Sequence, residues 1–336
     1  MSSQAFNNAI GVYGRNRLMN PDSYIDQRNN GAATSTTGYT VDRYYVNQTT
    51  SGVGVLTAQQ DTTTILGANQ PTISSHKITV TTQQTTFSAG DDFNRHQTIE
   101  AANMRDSFWG TSNAIPFVYT VAVYVPVAGV YSISFRNSGN TRSYVTTITV
   151  VNANTLEFHS VVVPGDTGGT WATGNNGFVN VCFDLGAGTT FTTSTINTWQ
   201  NGNFVKATGS LSFCTNTAGT TMHIAWEQFE PNYATDPEIV DYKEQLSRCQ
   251  RYYNIVPVDF TTTNTGNYQF VYIKWPVTMR VAPTSTYTGF VNTDSTAGTT
   301  TALLTPTIYG ANAIGISPTV AVGSRFQTTT LNSADF

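Results

Sequence analysis

Charge is scarce in this chain. Lys, Arg, Asp and Glu supply 11% of its 336 residues, against about 25% in an ordinary soluble domain. With 16 basic against 20 acidic residues, a net charge of −4 and a pI near 5.5, no basic stripe exists to displace counterions, which argues against nucleic-acid binding. Cysteine is also scarce. Cys182, Cys214 and Cys249 form an odd, widely spaced set with no CxxC, which argues against a disulfide framework or zinc site and fits buried free thiols. The opening MSSQAFNNAIGVYGRN has neither a basic start nor an apolar core, so no signal peptide is expected. The most apolar stretch, Phe117–Ile133, is interrupted by Pro126 and Gly129. It reads as two strands joined by a Val-Ala-Gly turn, with no membrane insertion. A soluble protein made in a cytoplasm is expected.

Neutral polar residues fill the gap left by charge. Thr accounts for about one residue in six, and its β-branched side chain suits strands. With 39% hydrophobic residues, including 18 Phe, 17 Tyr and 5 Trp, the chain can build real cores and is not a disordered low-complexity sequence. A surface solvated by hydroxyls and amides fits a durable protein assembly or a sugar-contacting face. The length suggests two domains, or three.

Residues 1–15 read as a short N-terminal arm. From residue 16 to 234 short strand patterns alternate with turn signals. Lys77–Thr82, Phe117–Val125, Val130–Arg136, Tyr144–Val151, Glu157–Val163, Phe178–Leu185, Gly209–Cys214 and Thr221–Phe229 are the candidate strands. Asn- and Gly-rich connections such as Asn137–Asn140 and Pro164–Gly169 carry the residues that turns require. An all-β fold is expected, with a jelly-roll β-sandwich as its first domain. A second β region spans 255–336, with candidate strands at Ile255–Phe260, Gln269–Trp275, Thr284–Gly289, Thr305–Tyr309, Ala313–Ser317 and Phe326–Thr330. Asp294–Thr301 reads as an exposed insert, and the whole region as a smaller C-terminal β-sandwich.

Between them, residues 235–254 hold the single convincing amphipathic helix, expected over Asp236–Asn254. Ile239, Tyr242, Leu246, Cys249 and Tyr253 recur at spacings of three and four, which lays one apolar stripe along a helix. Asp236 is a suitable N-cap and Pro237 a suitable first residue. Glu238 and Asp241 at the start and Arg248 and Arg251 at the end match the helix dipole. The stripe packs within one subunit or, as a sharper alternative, Tyr242, Leu246 and Tyr253 meet symmetry mates.

Several segments occur in a recognisable order. They are NRLMNPDSYIDQRNNG at Asn16–Gly31, QTIEAANMRDSFWGTSNAIP at Gln97–Pro116, FRNSGNTRSY at Phe135–Tyr144, PGDTGGTW at Pro164–Trp171, FDLGAG at Phe183–Gly188, IAWEQFEP at Ile224–Pro231, and the helix ending in Cys249-Gln-Arg-Tyr-Tyr253. WPVTMRVAP at Trp275–Pro283 follows. Over about residues 16–285 this succession resembles a family of tailed-phage virion proteins described as tail-fibre or receptor-binding components. The chain departs from the family pattern at Pro21, where Gly is usual, and at Trp226 and Phe229, which replace smaller aliphatics. The resemblance implies a carbohydrate-binding-module-like jelly roll in a virion appendage. It also implies a homotrimer, contacts with other virion proteins and a bacterial surface glycan as partner.

Catalysis finds little support. A glycosidase needs two carboxylates about 5–9.5 Å apart across a groove. Asp91 and Asp92 are adjacent and, on a strand, point to opposite faces, and Glu100 lies well beyond. Asp166 and Asp184 sit beside glycines, where Asp hydrogen-bonds local backbone. His76, His96, His159 and His223 lack metal-ligand spacing. For glycan stacking, Trp171 and Trp199 lie in loop-like surroundings and Tyr144 in a family marker, whereas Trp109 reads as core. Turn-anchoring is the alternative role for both loop tryptophans. A structural calcium is a further expectation, with Asp22, Asp26 and Glu230 as oxygen ligands drawn from opening and closing segments. The expected function is a non-enzymatic tail fibre that attaches the virion to a host surface glycan. The rivals are a fibre adaptor or capsid-decorating protein and a tailspike-like depolymerase.

Overall fold

The computed structural model describes residues 14–35, 37–261, 268–287, 291–292, 301–304, 306–316 and 325–336. The chain divides into two compact units, Met1–Asp241 and Tyr242–Phe336. Most of the expected N-terminal arm lies outside the described residues.

The strands of the first unit are β1 (Gly38–Val41), β2 (Tyr44–Thr49), β3 (Val55–Asp61), β4 (Ser75–Thr82), β5 (Asp92–Glu100), β6 (Phe117–Tyr124), β7 (Gly129–Asn137), β8 (Arg142–Val150), β9 (Leu156–Val163), β10 (Gly177–Ala187), β11 (Thr192–Thr193), β12 (Trp199–Asn201), β13 (Lys206–Ala207) and β14 (Thr221–Pro231). One sheet has seven strands in the order β1-β2-β5-β10-β7-β8-β12, and the facing sheet five in the order β3-β4-β14-β6-β9. Pairing within both is antiparallel. The chain passes from one sheet to the other at β2–β3, β4–β5, β5–β6, β6–β7, β8–β9 and β9–β10, and returns to the five-stranded sheet at β14, so strands close over a shared core as a jelly-roll sandwich. Between the sheets lie Val46, Phe93, Ile133, Phe135 and Phe183 from one side and Ile78, Phe117, Tyr119, Val121 and Phe229 from the other.

Into this apolar layer the two sheets each send one charge. Arg95 on β5 ion-pairs with Glu227 on β14, both buried. Glu227 also accepts from the Tyr119 hydroxyl on β6. The Arg95 guanidinium lies 3.7 Å from the ring centroid of Tyr44 on β2, and its Nε donates to His76 Nδ1 on β4 at 2.6 Å. His76 Nδ1 must therefore be unprotonated, and burial followed by the Arg95 charge holds the imidazole well below its ordinary pKa.

Gly209–Cys214, expected as a strand, is loop ending in a single 3₁₀ turn at Phe213–Thr215. The helix also differs from expectation. α1 spans Tyr242–Gln250, six residues later than the N-cap pattern predicts, and residues 235–241 form a non-helical strap on the first unit. The competing force is the buried carboxylate of Glu238. It accepts from the Gly14 and Asn16 backbone N–H groups at 2.6 and 2.8 Å, while the Glu238 N–H donates to Gln228 Oε1 at 2.9 Å. Thr235 adds two bonds to Glu230 at 2.7 Å. These tertiary bonds outweigh the local preference for a helix. Ile239 is consequently off the helix and exposed, Tyr242 is exposed, and Tyr253 is buried as the first residue of the next strand.

The second unit contains α1, then β15 (Tyr253–Thr261), β16 (Tyr268–Lys274), β17 (Thr284–Tyr287), β18 (Val291–Asn292), β19 (Thr301–Leu304), β20 (Gly310–Ile316) and β21 (Arg325–Ser333). One sheet runs β15-β21-β17 with β18 also on β21, the other β16-β20-β19. Val258, Ile273, Trp275, Met279, Ala311 and Ala334 form their shared core. Pro257 is tolerated because β15 is an edge strand, where a missing N–H costs no ladder bond. Thr305–Tyr309 is not a strand where it is described, and Asp294–Thr301 falls almost wholly outside the described residues.

Glu227→Ala should destabilise the first unit by about 3–5 kcal/mol, because it strands the Arg95 charge in the core. The double variant Arg95→Met/Glu227→Leu should recover most of that loss. Denaturant titration of the two variants checks this, and equal losses would show that the pair is not coupled.

Candidate functional site

Three of the ordered segments, Gln97–Pro116, Phe135–Tyr144 and Pro164–Trp171, meet at one corner of the sandwich. Trp109 belongs to the first, Asn137 and Arg142 to the second, and Asp166 and Trp171 to the third. Asp166 is buried and takes a two-pronged ion pair from Arg142, with Nε to Oδ2 at 2.8 Å and Nη2 to Oδ1 at 2.7 Å. That hydrogen-bonded carboxylate pushes the Arg142 pKa up. The Asp166 backbone carbonyl accepts from Gly110 N at 2.7 Å, and its Oδ1 accepts from Gly168 N at 3.2 Å. Asn137 Nδ2 reaches the Thr170 carbonyl at 3.1 Å. The loop between β9 and β10 is thus fastened on both sides. Gly110 adopts φ +84°, and a Cβ there would stand 3.0 Å from the Trp171 ring, so the close approach needs glycine.

The fastened loop carries Trp171 against Trp109 and Trp199. Ring centroids are 4.9 Å apart for Trp109–Trp171, 5.2 Å for Trp109–Trp199 and 5.5 Å for Trp171–Trp199, each pair edge-to-face. Trp109 is buried and donates to the Ile115 carbonyl. Trp171 and Trp199 are half-buried, packing one side on the core and presenting the rest outward. Trp199 Nε1 donates to the Pro164 carbonyl at 2.7 Å, and Trp171 Nε1 lies 3.2 Å from both Asp166 Oδ2 and the Gly168 carbonyl. Around them, Arg142 Nη1 donates to Asn201 Oδ1 at 3.1 Å, and Thr170, Thr198 and Asn201 are exposed. The corner offers apolar ring surface edged by hydroxyl and amide groups.

The other expected site residues fall elsewhere. Tyr144 pairs in register with Trp199 but is only 3% exposed. Its ring packs on Phe135 and Trp199, its hydroxyl donates to the Val162 carbonyl, and burial raises its pKa. Tyr144 supports the corner from within and presents no face for a sugar. The expected calcium trio is not assembled. Asp22 accepts from Tyr24 N, Asp26 caps its own turn through Asn29 and Gly31 N–H groups, and Glu230 is engaged by Arg15, Gln228 and Thr235. Among the described residues no three His, Cys, Asp or Glu side chains gather as a metal cluster would require.

The carboxylates weighed for catalysis are likewise engaged. Asp91 accepts from Ser51 and Ser88 N–H groups, and Asp92 from Asn47 and Asn94. Asp184 is fully buried beside Lys206, whose Nζ lies 3.1 Å away, and burial pushes its pKa up to about 6. Sequence reasoning missed Arg142 and Asn201. The signal for Arg142 was its place in the segment FRNSGNTRSY, one of two arginines, with Arg136, that flank its turn.

No protein-family model and no curated protein matches the sequence. Solved structures do. One is the enzymatically active domain of tailspike protein 4 of bacteriophage CBA120, at 13% identity and TM-score 0.32, covering 62% of this chain and 22% of that one. Another is TmCBM61 in complex with beta-1,4-galactotriose, at 11% identity and TM-score 0.31, covering 65% and 99%. A third is the family 11 carbohydrate-binding module of a Clostridium thermocellum cellulase, at 8% identity and TM-score 0.28, covering 61% and 98%. The chain therefore spans about a fifth of the tailspike domain and nearly all of either module. Function is inferred below from this chain's own residues.

Asp166→Asn should weaken the corner, since the replacement loses the charge and one acceptor. Stability should fall by about 1–3 kcal/mol, and tryptophan emission should shift to the red as Trp171 loosens. Unchanged emission and an unchanged denaturation midpoint would show that the ion pair does not hold the corner.

Proposed function

We propose that this chain is a non-enzymatic attachment protein of a tailed-phage virion, which binds a host surface glycan at the Trp171–Trp199 corner. The observation that carries the binding reading is the pair of half-exposed indoles, fixed at right angles by the loop that Asp166 and Arg142 fasten. Sugars present apolar C–H faces to such rings and hydrogen-bond at their edges, where Thr170, Thr198 and Asn201 stand. A preformed site also orders little on binding, which favours affinity. The virion setting is supported by the ordered marker segments, three of which converge on this corner. In that setting the protein is made in the bacterial cytoplasm, joins other virion proteins and works as a homotrimer.

A second reading has its own observation. Both indole N–H donors already have protein acceptors, as they would in a purely turn-anchoring role. A fibre adaptor or decorating protein would need no more. Titration of surface polysaccharide from the phage's host with the trimer separates the two. Trp199→Ala should weaken binding at least about tenfold, the cost of losing about 1.4 kcal/mol of ring contact, while cooperative melting is retained. Asn201→Ala should weaken it a few-fold. Unchanged affinity in Trp199→Ala and Trp171→Ala would reject the corner as a glycan site and favour the adaptor reading.

A further inference from the structure

A second candidate site lies on the outer face of the five-stranded sheet. There the strap of residues 235–239 and the loop between β3 and β4 stand apart and leave a cleft of about 470 Å³, inside the range of roughly 300–1,000 Å³ usual for ligand pockets. Thr120 on β6, Phe158 on β9 and Trp226 on β14 form its floor, with Asn69 on one wall and Asp236 on the other. The strap is there because Gln228 fixes it. Gln228 Nε2 donates to Thr235 Oγ1 at 2.9 Å, and Oε1 accepts from Glu238 N. The same bonds that displace the expected start of the helix therefore create the wall of a cleft.

We infer that this cleft binds a neutral saccharide, at a place separate from the Trp171–Trp199 corner. Phe158 is 42% exposed, so part of its ring is open to the cleft that it lines. Asn69, Thr120 and Asp236, which carry an amide, a hydroxyl and a carboxylate, line the same cleft; the Thr120 hydroxyl also bonds the Ser160 hydroxyl at 2.8 Å. Aromatic surface with convergent hydroxyl, amide and carboxylate groups matches a sugar ring, whose apolar face stacks while adjacent hydroxyls donate and accept. Among the described residues no cationic side chain lines the cleft, and Asp236 is the only ionisable group that does. A phosphate, sulfate or uronic acid would meet a carboxylate with no counter-charge, which leaves neutral sugars as the class that fits. Trp226 is 1% exposed, beneath the cleft, and its indole N–H has no hydrogen-bond acceptor among the described residues.

The test is calorimetric titration of the whole protein with neutral tri- and tetrasaccharides of glucose, galactose, mannose and rhamnose, with intrinsic tryptophan fluorescence as a second readout. At least one sugar should bind with an affinity lowered about tenfold by Phe158→Ala and several-fold by Asp236→Asn, and retained in Trp199→Ala. Both cleft substitutions are at exposed positions, and a cooperative melt confirms that each variant is folded. Binding by none of the sugars, or binding that both cleft variants leave unchanged, overturns the proposal. Binding lost only in Trp199→Ala also overturns it, while leaving the corner site standing.

Discussion

The buried pair of Arg95 and Glu227 is the constraint around which the sandwich is arranged. Each charge has been taken out of water, and each is compensated only if the opposite sheet arrives at one spacing and one register. The neighbouring strands then supply the rest of the solvation shell. Tyr44 from β2 lies under the guanidinium, His76 from β4 accepts its Nε, and Tyr119 from β6 donates to the carboxylate. Five strands near the middle of the two sheets are thereby tied to one polar cluster. A slip of one residue on β5 or β14 would turn a charge outward and its neighbour inward. We read the pair as fixing register and the match between sheets, more than as a source of net stability.

That cluster also explains which strands could be read from the sequence. β6, β7, β9 and β10 carry apolar or alternating runs and stand within a few residues of their expected places. β5 reads Asp-Phe-Asn-Arg-His-Gln-Thr-Ile-Glu and gives no such signal, yet it lies in the interior of the seven-stranded sheet, between β2 and β10. Its core side carries Arg95, which Glu227 faces, and its other side carries Asp92 and Asn94, which bond each other and, through Asp92, Asn47 on β2. Such a strand becomes legible when its partners are known. The helix fails in the opposite sense. Its N-terminal capping pattern is locally sound, but Glu238 makes stronger bonds to the Gly14–Asn16 backbone, so the first turns give way to a strap.

The corner of the sandwich shows what the marker segments do. Apart in sequence they are weak turn motifs. Together they place Arg142 on Asp166, Asn137 on Thr170 and three indoles edge to face. Trp171 and Trp199 were visible as candidates because Gly, Thr and Asn surround them. Tyr144 looked equivalent in sequence but faces the core, since strand alternation on β8 turns it inward. The calcium trio could not be tested by spacing alone, because Glu230 is held by Arg15 from far away in the chain while Asp22 and Asp26 accept from their own turns. A surface poor in charge and rich in hydroxyls and amides is consistent with both proposed sugar contacts.

Attachment to a cell surface is the central functional claim, and it is tested most directly on cells. Fluorescently labelled protein would be titrated onto host bacteria, and the same protein used to compete with phage adsorption. The account predicts saturable binding and blocked adsorption. Properly folded protein that neither binds the cells nor delays adsorption would contradict it and would favour the adaptor or decorating reading.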